Sequence, residues 1–173
     1  LGKPAVPELI VIANDPKAPD YARMWATTAL ADIPDERAVE ALVKLAASSS
    51  ADVRHVAAYH GPKQRSKQLD QAIIARALAG DEMVLAWAVQ GFAEFGESVP
   101  VDLLKAALAA KEPKARAAAA EALAKADDAA SFEQLLALLK DADERVRSAA
   151  AAAVGKRKLT PSQRGKALPA LID

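Results

Sequence analysis

Asp143-Glu144-Arg145-Val146-Arg147, running straight into Ser148-Ala149-Ala150-Ala151-Ala152-Ala153-Val154-Gly155, is the stretch whose reading decides the fold. Asp143 can accept hydrogen bonds from otherwise unpaired first-turn amides, and Glu144 places negative charge at the positive end of the helix dipole, so a capped helix starts here. Stepping back from Arg147 by 31 residues at a time lands on Arg116, Leu85, Arg54 and Arg23. Counted from each of these anchors, the third position onward is always alanine: Ala26, Ala57, Ala88, Ala119 and Ala150. The seventh reads Leu30, Gly61, Phe92, Leu123 and Val154, so the two columns make one stripe at helical spacing that only Gly61 interrupts. A period of this length marks a repeat array, in which each unit buries its apolar face only against its neighbours.

A second apolar helix precedes each anchored one. Leu42/Leu45/Ala46, Ile74/Ala77/Leu78, Leu104/Ala107/Leu108 and Leu135/Leu138/Leu139 all follow the i, i+3, i+4 pattern, which makes each unit a helical hairpin. The turns are short. Ser50 and Asp81 stand where Asp143 stands in its unit, and Pro113 falls in a first turn, where a missing N–H costs nothing. No segment alternates with period two, so no sheet is expected. The predicted fold is an all-α solenoid of antiparallel helix pairs, one array over residues 1–173 with about five units.

Acidic cap, Val-Arg pair and alanine run together resemble the HEAT-like repeat family, in particular its short bacterial, phycobilisome-lyase-type form. Residues 143–155 carry the resemblance most clearly, and Ala51-Asp52-Val53-Arg54 repeats its opening. The resemblance extends over almost the whole chain and implies a right-handed superhelix that serves as a protein-binding scaffold. Such motifs specify a frame, and function lies in side chains grafted onto it.

With 52% hydrophobic but only 4% aromatic residues, the core must be built mainly from Ala, Leu and Val. Basic and acidic residues balance at 23 each, which gives no bulk attraction to nucleic acid or to an anionic membrane surface. The absence of cysteine removes disulfides, thiolate metal sites and cysteine nucleophiles. No apolar run reaches the ~20 residues of a membrane span, and no secretory signal opens the sequence. Leu1-Gly2 followed by Ala5 to Ile10 reads as the close of one unit running into the next. Thr160-Pro161-Ser162 starts a helix bearing Leu168, Leu171 and Ile172 at the spacing of Leu135, Leu138 and Leu139. Both ends are therefore expected to be cut from a longer array, with the last helix as a terminal cap the alternative.

The second unit departs most from the pattern, holding His55, Tyr59, His60, Gly61-Pro62 and the basic stretch Lys63 to Gln68. His60 shares a column with Ala29, Gly91, Ala122 and Ala153 and is expected to pack against a neighbour, with His55 and Tyr59 outward. The two histidines lie five apart, about 140° around an ideal helix, which suits no shared metal ion. The His-Glu dipeptide of the iron-dependent hydroxylases of this fold does not occur. Trp25 and Trp87 share a column that otherwise holds Val56, Ala118 and Ala149, so they are assigned to the core. A likeness to the HEAT-fold alkylpurine DNA glycosylases would need aromatics, a carboxylate and a basic groove together, because a flipped base must be stacked and its phosphates held; the column neighbours here are Ala, Thr and Gln. Nothing local marks a bilin pocket like that of the phycobilin lyases. Glu112–Arg116 and Asp143–Arg147 are expected as i, i+4 ion pairs, with such arginines also joining units across the interface. Lys156-Arg157-Lys158 is expected to be a solvated turn.

The register places the fourth and fifth positions after each anchor on the inner face: Thr27/Thr28, Ala58/Tyr59, Val89/Gln90, Ala120/Glu121 and Ala151/Ala152. Thr27, Thr28, His55, Tyr59, Gln90 and Glu121 are the candidate contact residues for a partner helix or peptide, Tyr59 and Gln90 foremost. The functional expectation is a non-catalytic protein-interaction scaffold that needs no metal or cofactor. A regulatory module of a larger enzyme is the alternative, ahead of a HEAT-fold nucleic-acid binder or lyase.

Overall fold

The computed structural model describes residues 2–96 and 98–172, with residues 170–172 described by their backbone alone. Eleven α-helices follow one another among the described residues, with no strand. Five hairpins pair α1 (Val6–Asn14) with α2 (Asp20–Ala31), α3 (Glu36–Leu45) with α4 (Ala51–His60), α5 (Lys67–Leu78) with α6 (Glu82–Phe95), α7 (Val101–Leu108) with α8 (Pro113–Leu123), and α9 (Ala129–Leu138) with α10 (Glu144–Gly155); α11 (Pro161–Ile172) follows alone.

The predicted caps form. Ser50 accepts from the Val53 amide, Asp81 from Val84 and Asp143 from Arg145, while Pro113 is the first residue of α8. Asp35 and Asp128 cap α3 and α9 in the same way.

Successive second helices pack on one another along their lengths, more extensively than the first helices do. The alanine column explains this, since Ala57, Ala88, Ala119 and Ala150 are fully buried and present no bulk to hold α4, α6, α8 and α10 apart. The second-helix layer is therefore the more closely packed of the two. Buried residues form two abutting clusters, and Leu104 and Leu108 pack against both.

The first-helix stripes hold in α3 and α9, where Leu42, Leu45, Leu135 and Leu138 are buried. In α5 the stripe shifts by one residue: Leu69, Ile73 and Ala77 are buried while Leu78 is 46% exposed. The cause is the second unit's break. Gly61 opens a 3-10 turn, Gly61–Gln64, and a Cβ there would stand 2.6 Å from the Ile73 side chain, so Ile73 and Leu69 occupy the space that Leu30 and Phe92 fill in their own units. In α11, Leu168 is exposed and Ala167 is buried, contrary to the predicted spacing. The side chains of Leu171 and Ile172, and all of Leu1, lie outside the described residues.

The anchor arginines lock each turn. Arg54 donates to the Ser48 and Ser49 carbonyls and bridges to Asp81 of the next unit at 3.1 Å; Arg116 does the same with Ala110, Lys111 and Asp141. Arg147 donates to the Asp141 and Ala142 carbonyls. The expected pairs Glu112–Arg116 and Asp143–Arg147 do not form, because each guanidinium points back over its own turn, and Asp143 instead holds Arg145. The inter-unit bridge is the part of the expectation that stands. Lys156-Arg157-Lys158 is not a plain solvated turn either: the Arg157 side chain is 3% exposed and donates to the Leu123 and Asp128 carbonyls of the unit before. Gln64, at the equivalent place, donates to the Leu30, Ala31 and Ile33 carbonyls, satisfying helix-end acceptors.

Candidate functional site

At about 100° per residue, the core columns three, four and seven after the anchor share one side of a second helix, whereas positions −2, +2, +5 and +9 fall within an arc of about 60° on the opposite side. The structure follows this arithmetic. The fourth column is buried: Thr27, Ala58, Val89 and Ala120 are between 0 and 1% exposed. Thr27 is therefore not an inner-face contact; its hydroxyl donates to the Arg23 carbonyl at 2.8 Å inside α2. Thr28, Tyr59, Gln90 and Glu121, from the fifth column, do reach the surface of the second-helix layer.

Trp25 is also misplaced by the sequence reading, being 70% exposed rather than core. It stands on the same arc as Trp87. Trp87 is half-buried because neighbours cover it: Tyr59 meets its ring edge-on with centroids 5.6 Å apart, His55 stacks at 6.4 Å, and the Lys114 ammonium lies 3.8 Å from the ring centroid. His55 and Tyr59 are accordingly half-buried and not free outward side chains. His60 packs as expected, against Phe95 and Tyr59. Burial pushes both imidazoles below their ordinary range, with Lys63 adding to the effect at His60. Burial likewise lowers the Lys114 ammonium. His60 Nδ1 and Trp87 Nε1 are buried without a hydrogen-bond partner, so this cluster is held by ring packing.

Beside this cluster a groove of about 370 Å³ runs across α6, α8 and α10. Tyr59, Trp87, Gln90, Glu94, Glu121 and Lys125 supply its aromatic and polar wall. Ala118, Ala149 and Ala152 form its smooth floor. Within it the Gln90 amide donates to Glu121 at 3.4 Å, and Lys125 pairs with Glu94 at 3.6 Å while donating to the Ala93 carbonyl. Sequence reasoning missed Trp87 and Lys125 as surface groups and had Lys156 only as part of a solvated turn. The signal was present in the 31-residue columns and needed only the helical angle.

The basic stretch of the second unit is absorbed by structure. Lys63 pairs with Asp32 at 2.7 Å, Gln64 closes α2, Arg65 takes the left-handed turn conformation at φ 50°, and Ser66 caps α5. No group of three or more ionisable ligands suited to a metal ion occurs among the described residues. No helix of the described residues is long and apolar enough to cross a membrane.

The profile for HEAT repeats matches residues 70–155 and 101–173, more than half of the chain. The chain belongs to the HEAT-repeat family. The profile for the PBS lyase HEAT-like repeat matches residues 22–48 of the same array. No curated protein matches the chain significantly. Side chains of the outward arc of the second helices meet in this groove.

Proposed function

We propose that this HEAT array is a non-catalytic scaffold that binds a protein segment along its second-helix face. The observation that carries the reading is the groove itself. It is concave, its alanine floor allows close approach, and half-buried Tyr59 and Trp87 stand at its edge, where aromatic anchors contribute most of the energy in such contacts. A groove of this kind accepts a helix or extended peptide by shape, and Gln90 and Glu121 offer one donor-acceptor pair to fix it. Family membership supports the same reading, since HEAT repeats are commonly interaction scaffolds. We read no catalytic role into the chain: its histidines are packed side by side with rings, and among the described residues its carboxylates serve as caps, ion pairs or solvated groups, apart from Asp70, which is half-buried with Oδ1 unpartnered and lies away from the groove.

Such a scaffold also fits a regulatory module of a larger enzyme, and the two descriptions share one surface. The test is site-specific photo-cross-linking in source cells, with a benzophenone amino acid placed at Gln90, or at the exposed Gln71 on α5 as control. A discrete protein adduct from position 90 and none from 71 is the expected result. Adducts of equal pattern from both positions, or none from either, would remove the inner face as the binding surface.

A further inference from the structure

We infer that the inner face is electrically polarised and takes an acidic protein segment with an apolar end, its carboxylates over the fourth and fifth units and its apolar side chains on Trp87 and Tyr59. This deepens the scaffold reading and rests on it. The chain has no net charge, yet the arc at −2, +2, +5 and +9 is not neutral along its length. Across the first three units it carries Asp32, Asp52 and Glu94 against Lys63. Across the last two it carries Lys114, Lys125, Arg145 and Lys156 against Glu121. Internal pairing narrows this contrast to Asp52 on one side and Lys114 and Lys156 against Glu121 on the other. Asp32 is matched by Lys63, Glu94 by Lys125, and Arg145 by its own cap Asp143. Neither Lys114 nor Lys156 is among the ion pairs of the described residues, and the groove beside them is lined by the alanine floor with Glu121 and Lys125.

Lys114 is the more telling of the two. Burial already disfavours its charge, and its neighbours are the Trp87 ring and the His55 imidazole, so an incoming carboxylate would supply the missing partner next to an aromatic seat for an apolar side chain. Second helices pack 8–10 Å apart in helical proteins, and Lys156 lies seven positions further along its helix than Trp87 does along its own, so the two are separated by roughly 19–23 Å. An extended peptide covers that in about six residues. The partner is therefore a short segment with a bulky apolar side chain and acidic residues over the next six or so positions.

Fluorescence anisotropy with three labelled ten-residue peptides tests this: Trp-Leu-Gly-Leu-Ser followed by five residues that are all Glu, all Gln or all Lys. The expected result is that the Glu peptide binds at least about fivefold tighter than the Gln peptide at low salt, with the gap closing as salt is raised. Lys114→Glu with Lys156→Glu should abolish the preference for the Glu peptide over the Gln peptide. Lys156→Glu alone, at an exposed position, should reduce it and guards against misfolding at Lys114. Equal binding of the Glu and Gln peptides, tighter binding of the Lys peptide, or no binding by any would overturn the polarity. Equal binding of all three peptides, abolished by Tyr59→Ala, would do so while leaving the scaffold intact. Salt-sensitive binding of a 20-nucleotide single-stranded DNA in place of every peptide would remove both readings.

Discussion

Gly91 shows how one missing side chain sets the spacing of two units. A Cβ there would lie 2.2 Å from the Tyr59 carbonyl oxygen and 2.9 Å from that of Ala58, so α6 rides directly on the backbone of α4. Gly91→Ala must push the helices apart or bend one of them, and backbone atoms cannot yield as a side-chain end would. Overpacking of this kind costs about 1–3 kcal/mol, and urea unfolding should show a lower midpoint with the Tyr59–Trp87 contact disturbed. Ala122→Gly, in the same column one unit on, is the matched control and should show only the smaller loss of a helix glycine, roughly 1 kcal/mol. The histidines bear on pH at the same scale. Burial holds both below the usual value of 6.5, so the unfolded chain binds protons first as pH falls. Stability should therefore be intact above about pH 6.5 and decline as pH drops through the lowered folded values. Urea midpoints between pH 7.5 and 5 should fall for the wild type and fall less for His55→Gln with His60→Gln; an unchanged slope would mean the imidazoles do not drive it. Neither effect can be read from sequence, because His60 and Gly91 share a column whose crowding only packing reveals.

The helix ends were legible in the sequence and their wiring was not. Caps at Ser50, Asp81 and Asp143 follow from side-chain chemistry within three residues, the range over which sequence speaks directly. The arginines were assigned to i, i+4 partners by the same local logic. The structure sends them to turn carbonyls instead and forms the inter-unit bridges that were also expected, so that for Arg116 three acceptors beat one exposed carboxylate. Asp81 is the busiest of these groups, capping α6 while receiving Arg54 and Arg76, and their charges and the Val84 amide outweigh burial to hold its carboxyl below the usual range. Asp81→Ala removes the cap and leaves Arg54, only 15% exposed, without its carboxylate. The expected loss is about 2–4 kcal/mol, from a cap of ~1 and charge-assisted bonds of ~1.5–3 kcal/mol less solvent screening. Asp81→Asn keeps the cap and should recover part of it in thermal unfolding. Equal losses for the two variants would place the whole effect in the ion pair.

The array as a whole was visible as a period of 31, but its surface was assigned by treating adjacent positions as one face. Neighbouring residues on a helix point about 100° apart, so the fourth column went into the core while the second, with Trp25 and Trp87, came out. The core stripe of the second helices survived because two independent columns supported it, whereas the face rested on one assumed step. What the period does fix is how stability is distributed. Each second helix touches only the helices before and after it, so the array is a chain of nearest-neighbour interfaces, and damage to one should spread no further than its neighbours. Ala88 is fully buried between α4 and α8, in the column that sets the close spacing. Ala88→Leu has no room and should cost about 1–3 kcal/mol or more at that joint. Hydrogen exchange should then lose protection in α4, α6 and α8 while α10, one interface removed, keeps more of its own. A uniform loss across α2 to α10 would instead mean that the Arg54–Asp81 and Arg116–Asp141 bridges and the reach-back contacts of Gln64 and Arg157 couple the units into a single cooperative block.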